Sequence, residues 1–216
     1  MPNILDRLGA KGADISALAD LLIKNKARIR KVVEAVQVEK SSKKYAYEKV
    51  LRLVSERRPT LVYPYFEIFS SLLDNENNFL KWGAIITVAN LTTVDTGNKF
   101  DSIFRKYYAP ITGPAMITAA NIIGGSVTIA RSKPALVQAI TSEILKVEKA
   151  KYRINGSPSP ECRNVAIGHA IKTFDALYTQ IGNKAEVFDF VKRQLKNTRR
   201  QVVKKAEKFV RKYKEP

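Results

Sequence analysis

The residues best placed by type and spacing to do chemistry are cations. In the stretch TRRQVVKKAEKFVRKY, residues 198–213, Arg200, Lys204, Lys208 and Arg211 recur at three- and four-residue spacing, which lines them along one face of an α-helix. Val202, Val203, Ala206, Phe209, Val210 and Tyr213 form an apolar stripe on another face. A cationic row of this kind neutralises successive phosphates, and its affinity for a polyanion comes largely from counterion release. Reading a base sequence would need contacts to base edges, and no residue pattern here supplies them. The alternative is a solvated face on a terminal helix. Further candidates are Lys43, Lys44, Lys81, Arg163 and Arg199, with Lys81 directly before Trp82, the only tryptophan of the chain.

Other chemistry is thinly represented. His169, the single histidine, sits in VAIGHAI among small and apolar residues and is expected to be a satisfied core or groove side chain. Cys162 follows SPSPE at an expected helix start, where a helix dipole could lower a thiol pKa. The two are seven residues apart, two helical turns, too far for a direct nucleophile–base couple. One His and one Cys fall short of a structural zinc set, and IIGGSV lacks both the spacing and the lysine of a phosphate-binding loop. No metal and no cofactor is expected. Gly124 and Gly125, inside a helical segment, are expected to allow close approach of a neighbouring helix.

The composition is that of a globular chain with an unusual charge balance. Lys and Arg number 38 against 20 Asp and Glu among 216 residues, a formal net charge of +18. Residues 24–58 and 184–216 each hold 12 basic and 4 acidic side chains. Two basic ends with a near-neutral middle suit nucleic acid, an anionic surface or an acidic protein partner. A lone cysteine excludes an internal disulfide and fits a reducing cytoplasm. The N-terminal residues show no basic region followed by an apolar core, so no signal peptide is expected. Residues 111–130 are uncharged for long enough to span a bilayer, but they include Pro114, three glycines, four hydroxyl residues and Asn121. A helix buried inside a globular protein is the expectation there.

The elements that must position these residues read as all-α. Apolar residues recur at three and four almost everywhere, strand signals are weak, and breakers such as SERRPT, TTVDTGNK and RSKP fall at intervals. Five helical segments align on Ala46, Ala84, Ala120, Ala166 and Val202, at spacings of 38, 36, 46 and 36 residues. Lys43, Lys81, Arg163 and Arg199 stand three residues before four of these anchors; Ile117 takes that place in the third. A loop at 153–160, RINGSPSP, accounts for the long interval. Helical hairpins repeated on this period, with a small anchor and Asp/Asn-rich turns such as LLDNENN, resemble HEAT repeats over roughly residues 14–214. The resemblance implies a right-handed α-α superhelix, a solenoid of about five hairpins, as one domain over 1–216 without an internal boundary.

Within the second segment Leu80, Ala84, Val88 and Leu91 share one face. Trp82 lies off that stripe and is expected to pack at a helix–helix seam, with a ligand-facing role as the alternative. A more distant resemblance is to the HEAT-like alkylpurine DNA glycosylases, in which a Trp is followed four residues later by an Asp. Ile86 stands at that place here, and the first acid downstream of Trp82 is Asp95. Without a carboxylate to stabilise a developing cation, base excision loses its main electrostatic support. The expectation is a non-catalytic, monomeric, cytoplasmic binding module or scaffold that engages nucleic acid, DNA before RNA, or an acidic protein segment. The alternatives are base-excision repair and a protein–protein scaffold whose charge serves solubility.

Overall fold

A computed structural model describes residues 3–213. The chain forms two compact units, Met1–Ile103 and Phe104–Pro216. Among the described residues the secondary structure is helical apart from one short hairpin, so the protein is all-α.

The first unit opens with α1 (Ile4–Gly9), α2 (Ile15–Ile23) and α3 (Lys26–Val38). Asp14 caps α2, its carboxylate accepting the Ala17 N–H at 3.0 Å. Next come α4 (Lys43–Arg57), α5 (Pro59–Val62), α6 (Phe66–Leu72) and α7 (Asn78–Leu91). Pro59 starts α5, and Pro64 in the 3-10 turn Tyr63–Tyr65 divides α5 from α6. The core forms where α4 lies on α7, with α2 and α3 against α4 and α6 against α7. Tyr47, Val50, Leu51 and Val54 are buried on α4. The expected stripe Leu80, Ala84, Val88, Leu91 is buried on α7.

A helix α8 (Lys99–Tyr108) contains the division between the units. Its start is held by Asp95, whose carboxylate accepts the N–H groups of Lys99 and Phe100, each at 2.9 Å, and the Tyr63 hydroxyl at 2.6 Å. The second unit then runs through α9 (Met116–Ser132), α10 (Val137–Leu145), α11 (Pro160–Leu177), α12 (Lys184–Arg193) and α13 (Arg200–Lys212). Here α11 is central, packing on both α9 and α13, while α12 packs on α13. Thr173 on α11 donates its hydroxyl to the Ile123 carbonyl of α9 at 3.0 Å. Phe174 and Phe190 meet edge to face at 5.6 Å between α11 and α12. The uncharged stretch forms α9, which buries Ala119, Ile122, Ile123 and Ile129, and no helix among the described residues is long and apolar enough to cross a membrane.

Three expectations change. The 153–160 insertion is a two-stranded antiparallel hairpin, β1 (Arg153–Ile154) with β2 (Ser157–Pro158). Asn155 and Gly156 turn it with φ of 50° and 78°, the left-handed pair a type I′ turn requires. Of the five anchors, Ala84, Ala166 and Val202 are buried, but Ala46 and Ala120 are only half-buried. Their neighbours Tyr47 and Ala119 take the inner position, so the motif slips by one residue in those two helices. Gly124 makes no close approach: a Cβ there would meet nothing within 4 Å. Helical glycines that do admit a neighbour include Gly83, facing Glu48, and Gly168, facing Lys205 and Val202.

Candidate nucleic-acid interface

The sequence candidates fall in two groups, one on each unit. In the second unit α13 is strongly amphipathic. Val202, Ala206 and Phe209 are buried, and Arg200, Lys204, Lys208 and Arg211 are exposed. An α-helix turns about 100° per residue, so these four cations share an arc of about 80° opposite the buried stripe. They therefore face solvent directly. Among the described residues no salt bridge engages any of the four, although the charge of Lys208 reaches Asp175 and helps to lower its pKa. By contrast, Lys212 holds Asp175 at 2.8 Å and Arg199 holds Glu161.

Arg199 is the N-cap residue of α13, and its contact with Glu161 ties that end to the first turn of α11, where Arg163 is half-buried. Two of the aligned cations are thus brought to one end of the α11–α13 seam. Farther along it lie Lys172 and Lys205. Neither stands at an aligned position or on the i, i+4 row, so sequence spacing carries no signal for them. Lys205 donates to the Gly168 carbonyl at 3.0 Å, and partial burial, with Lys172 and Arg199 nearby, pulls its pKa below the usual lysine value. A small cleft of about 130 Å³ is lined by Lys172, Lys205, Lys208, Asp175, Ile171 and Phe209.

His169 belongs to the same surface. It is exposed rather than a core side chain. Partial burial of its ring, then the charges of Lys205 and Lys172, lower its pKa, which favours the neutral imidazole. Cys162 is buried at the start of α11, its N–H donating to the Ser159 hydroxyl at 3.2 Å.

In the first unit Lys43 lays its stem over Gly9, where an added Cβ would lie 2.8 Å from the Lys43 Cδ. The Lys44 ammonium lies 5.6 Å from the Tyr45 ring centroid. Tyr45 meets Phe79 at 5.4 Å, and Phe79 meets Trp82 edge to face at 5.4 Å. Asn77 supports the trio: its amide donates to the Tyr45 hydroxyl at 2.9 Å while its oxygen caps α7 at Phe79 and Leu80. Trp82 and Lys81 are half-buried and Phe79 is 62% exposed, an unusual value for a large apolar ring. Trp82 thus packs against an exposed aromatic neighbour on its own helix.

Beneath this cluster Glu48 is buried on α4 against Gly83 of α7, with Arg52 Nε at 3.2 Å. Burial pushes the Glu48 carboxyl up to about 7 against the opposing pull of Arg52 and Lys49. No charge pattern in the sequence marks it.

Comparison with protein-family models, with curated proteins and with solved structures gives no match. The class defined by the fold is an all-α protein whose α13 turns a row of cations to solvent.

Proposed function

We propose that this chain is a non-catalytic helical-repeat binding module, its hairpins stacked as in HEAT arrays, that engages a polyanion. Duplex DNA ranks ahead of RNA and of acidic protein segments. The observation that carries this reading is the row Arg200, Lys204, Lys208, Arg211. Among the described residues it is exposed and forms no salt bridge, while neighbouring Arg199 and Lys212 are engaged by carboxylates. Lys172 and Lys205 widen the same positive surface.

A salt titration of binding to generic duplex tests it. Each phosphate contact removed lowers the slope of log affinity against log salt by about 0.9. Arg200→Ala/Lys204→Ala/Lys208→Ala is expected to flatten the slope accordingly. No binding near about 0.05 M salt, where such contacts are strong, or a slope unchanged in the triple variant, removes the row from the mechanism. Tighter binding of a polyglutamate peptide than of duplex would reassign the partner.

The trio Tyr45, Phe79, Trp82 beside Lys44, with the Phe79 ring exposed and the other two half-buried, favours a second reading, in which the target is single-stranded. Stacking one base on an aromatic ring contributes about 1–3 kcal/mol. Phe79→Ala should then weaken single-strand binding while leaving duplex binding intact. Catalysis has no part in either reading, since Ile86 stands four residues after Trp82 and Asp95 is occupied in holding α8. Release of alkylated purine by the protein, lost on Trp82→Ala, would reverse that.

A further inference from the structure

A cleft of about 410 Å³ opens between the start of α11 and the turn leading into α13. Its floor is a relay of hydrogen bonds with one direction. Glu148 is gripped by Arg193 through Nε at 2.9 Å and Nη2 at 2.8 Å, and accepts from Gln194 Nε2 at 3.0 Å. A carboxylate only accepts, so Gln194 must turn its nitrogen toward Glu148 and its oxygen toward Asn197. Asn197 Nδ2 then donates to Gln194 Oε1 at 2.9 Å and to Asn164 Oδ1 at 3.1 Å. From the other side, Asn197 Oδ1 accepts the Arg199 backbone N–H at 2.9 Å, and a backbone N–H only donates. Two independent constraints thus give Asn197 the same orientation. Asn164, 8% exposed, passes the polarity on, its Nδ2 donating to Thr198 Oγ1 at 2.9 Å. The Thr198 oxygen accepts from the floor, which leaves its hydroxyl proton for a partner in the cleft.

The charge agrees with the relay. Arg193 is neutralised by Glu148. Arg163 and Lys196 also line the cleft, and among the described residues no carboxylate pairs with either. Two unbalanced positive charges and a hydroxyl donor therefore meet over a floor whose carboxylate is already engaged, in a space of the size small ligands use. A cation has nothing to meet there. A dianion matches the two charges, and a phosphate monoester near pH 7 approaches that state whereas a backbone diester carries one charge.

We propose that this cleft binds a phosphate monoester, supplied by the 5′ end of a nucleic-acid strand or by a free phosphate-bearing small molecule. Arg163 and Lys196 provide the charge and Thr198 a directional donor. The strand-end source rests on the polyanion reading; binding of free phosphate does not.

The test uses the full chain and two probes. Inorganic phosphate is titrated at constant ionic strength while the backbone amides of Thr198 and Arg199 are followed by NMR. One short oligonucleotide is compared in its 5′-phosphorylated and 5′-hydroxyl forms. Saturable shifts at those amides are expected, with a preference of about tenfold for the phosphorylated end, the size of one charge-assisted hydrogen bond. Arg163→Ala/Lys196→Ala should abolish both effects, and Thr198→Ser should retain them. Phosphate shifts with equal affinity for the two oligonucleotides assign the cleft to the small molecule. Absence of both effects, or their persistence in the double variant, overturns the proposal. Its failure is separable from that of the α13 row, which is read on hydroxyl-ended duplex by the salt slope.

Discussion

Glu48 shows what one residue can add to a helix seam. Its carboxyl occupies the space that a Cβ on Gly83 would need, and burial raises its pKa from the ordinary 4.5 to about 7. A folded-state pKa above the unfolded value means that the folded state binds the proton more tightly. The contribution of Glu48 to stability is therefore fully present below about pH 4.5 and is lost as pH rises through about 7. A shift of that size corresponds to about 3 kcal/mol at most. Glu48→Gln should lack this component: between pH 4.5 and 8 the wild-type stability falls relative to the variant, as measured by urea denaturation. Parallel pH profiles would show that Arg52 keeps the carboxylate ionised throughout.

At the scale of the element, two glycines in helices have opposite roles. Gly83 admits Glu48 between α4 and α7, so Gly83→Ala must displace a buried side chain, at a cost of about 1–3 kcal/mol. Gly124 lies on α9 with open space around it, and Gly124→Ala should stabilise by about 0.5–1 kcal/mol, the helix-propensity difference. Chemical denaturation of the two variants separates them by sign. A destabilised Gly124→Ala would mean that α9 meets a neighbour there in solution. The cation row of α13 is likewise a property of the element, because only a helix can put residues 200, 204, 208 and 211 on one line.

For the whole molecule the net charge of +18 governs how stability responds to salt. Among the described residues, ion pairs such as Arg30–Glu34, with side chains 73% and 57% accessible, lie in solvent, and such pairs contribute about 0–1 kcal/mol. Repulsion among the cations in excess should outweigh them. Raising salt from about 0.01 M to about 0.15 M shortens the screening length from about 30 Å to about 8 Å. The thermal midpoint should accordingly rise over that range in a non-binding buffer. A falling midpoint would show that ion pairs dominate instead.

The helices and their inner faces were legible in the sequence because helical burial writes a local period. Leu80, Ala84, Val88 and Leu91 are buried, and the α13 stripe and cation row separate onto opposite faces as the 3.6-residue repeat requires. The hairpin at 153–158 was legible too, in Asn155-Gly156, but the expectation of a loop passed over it. Anchor register was not, since Ala46 and its neighbour Tyr47 differ by one position and only packing between helices selects which points inward. Nor were Glu48 beneath Gly83 or the relay from Glu148 to Thr198. Both join residues more than thirty positions apart, and neither a buried carboxyl nor a polarised amide chain leaves any periodic trace. Local spacing decided which faces are apolar and which are charged; the approach of distant helices decided which polar groups are engaged and which are left to bind.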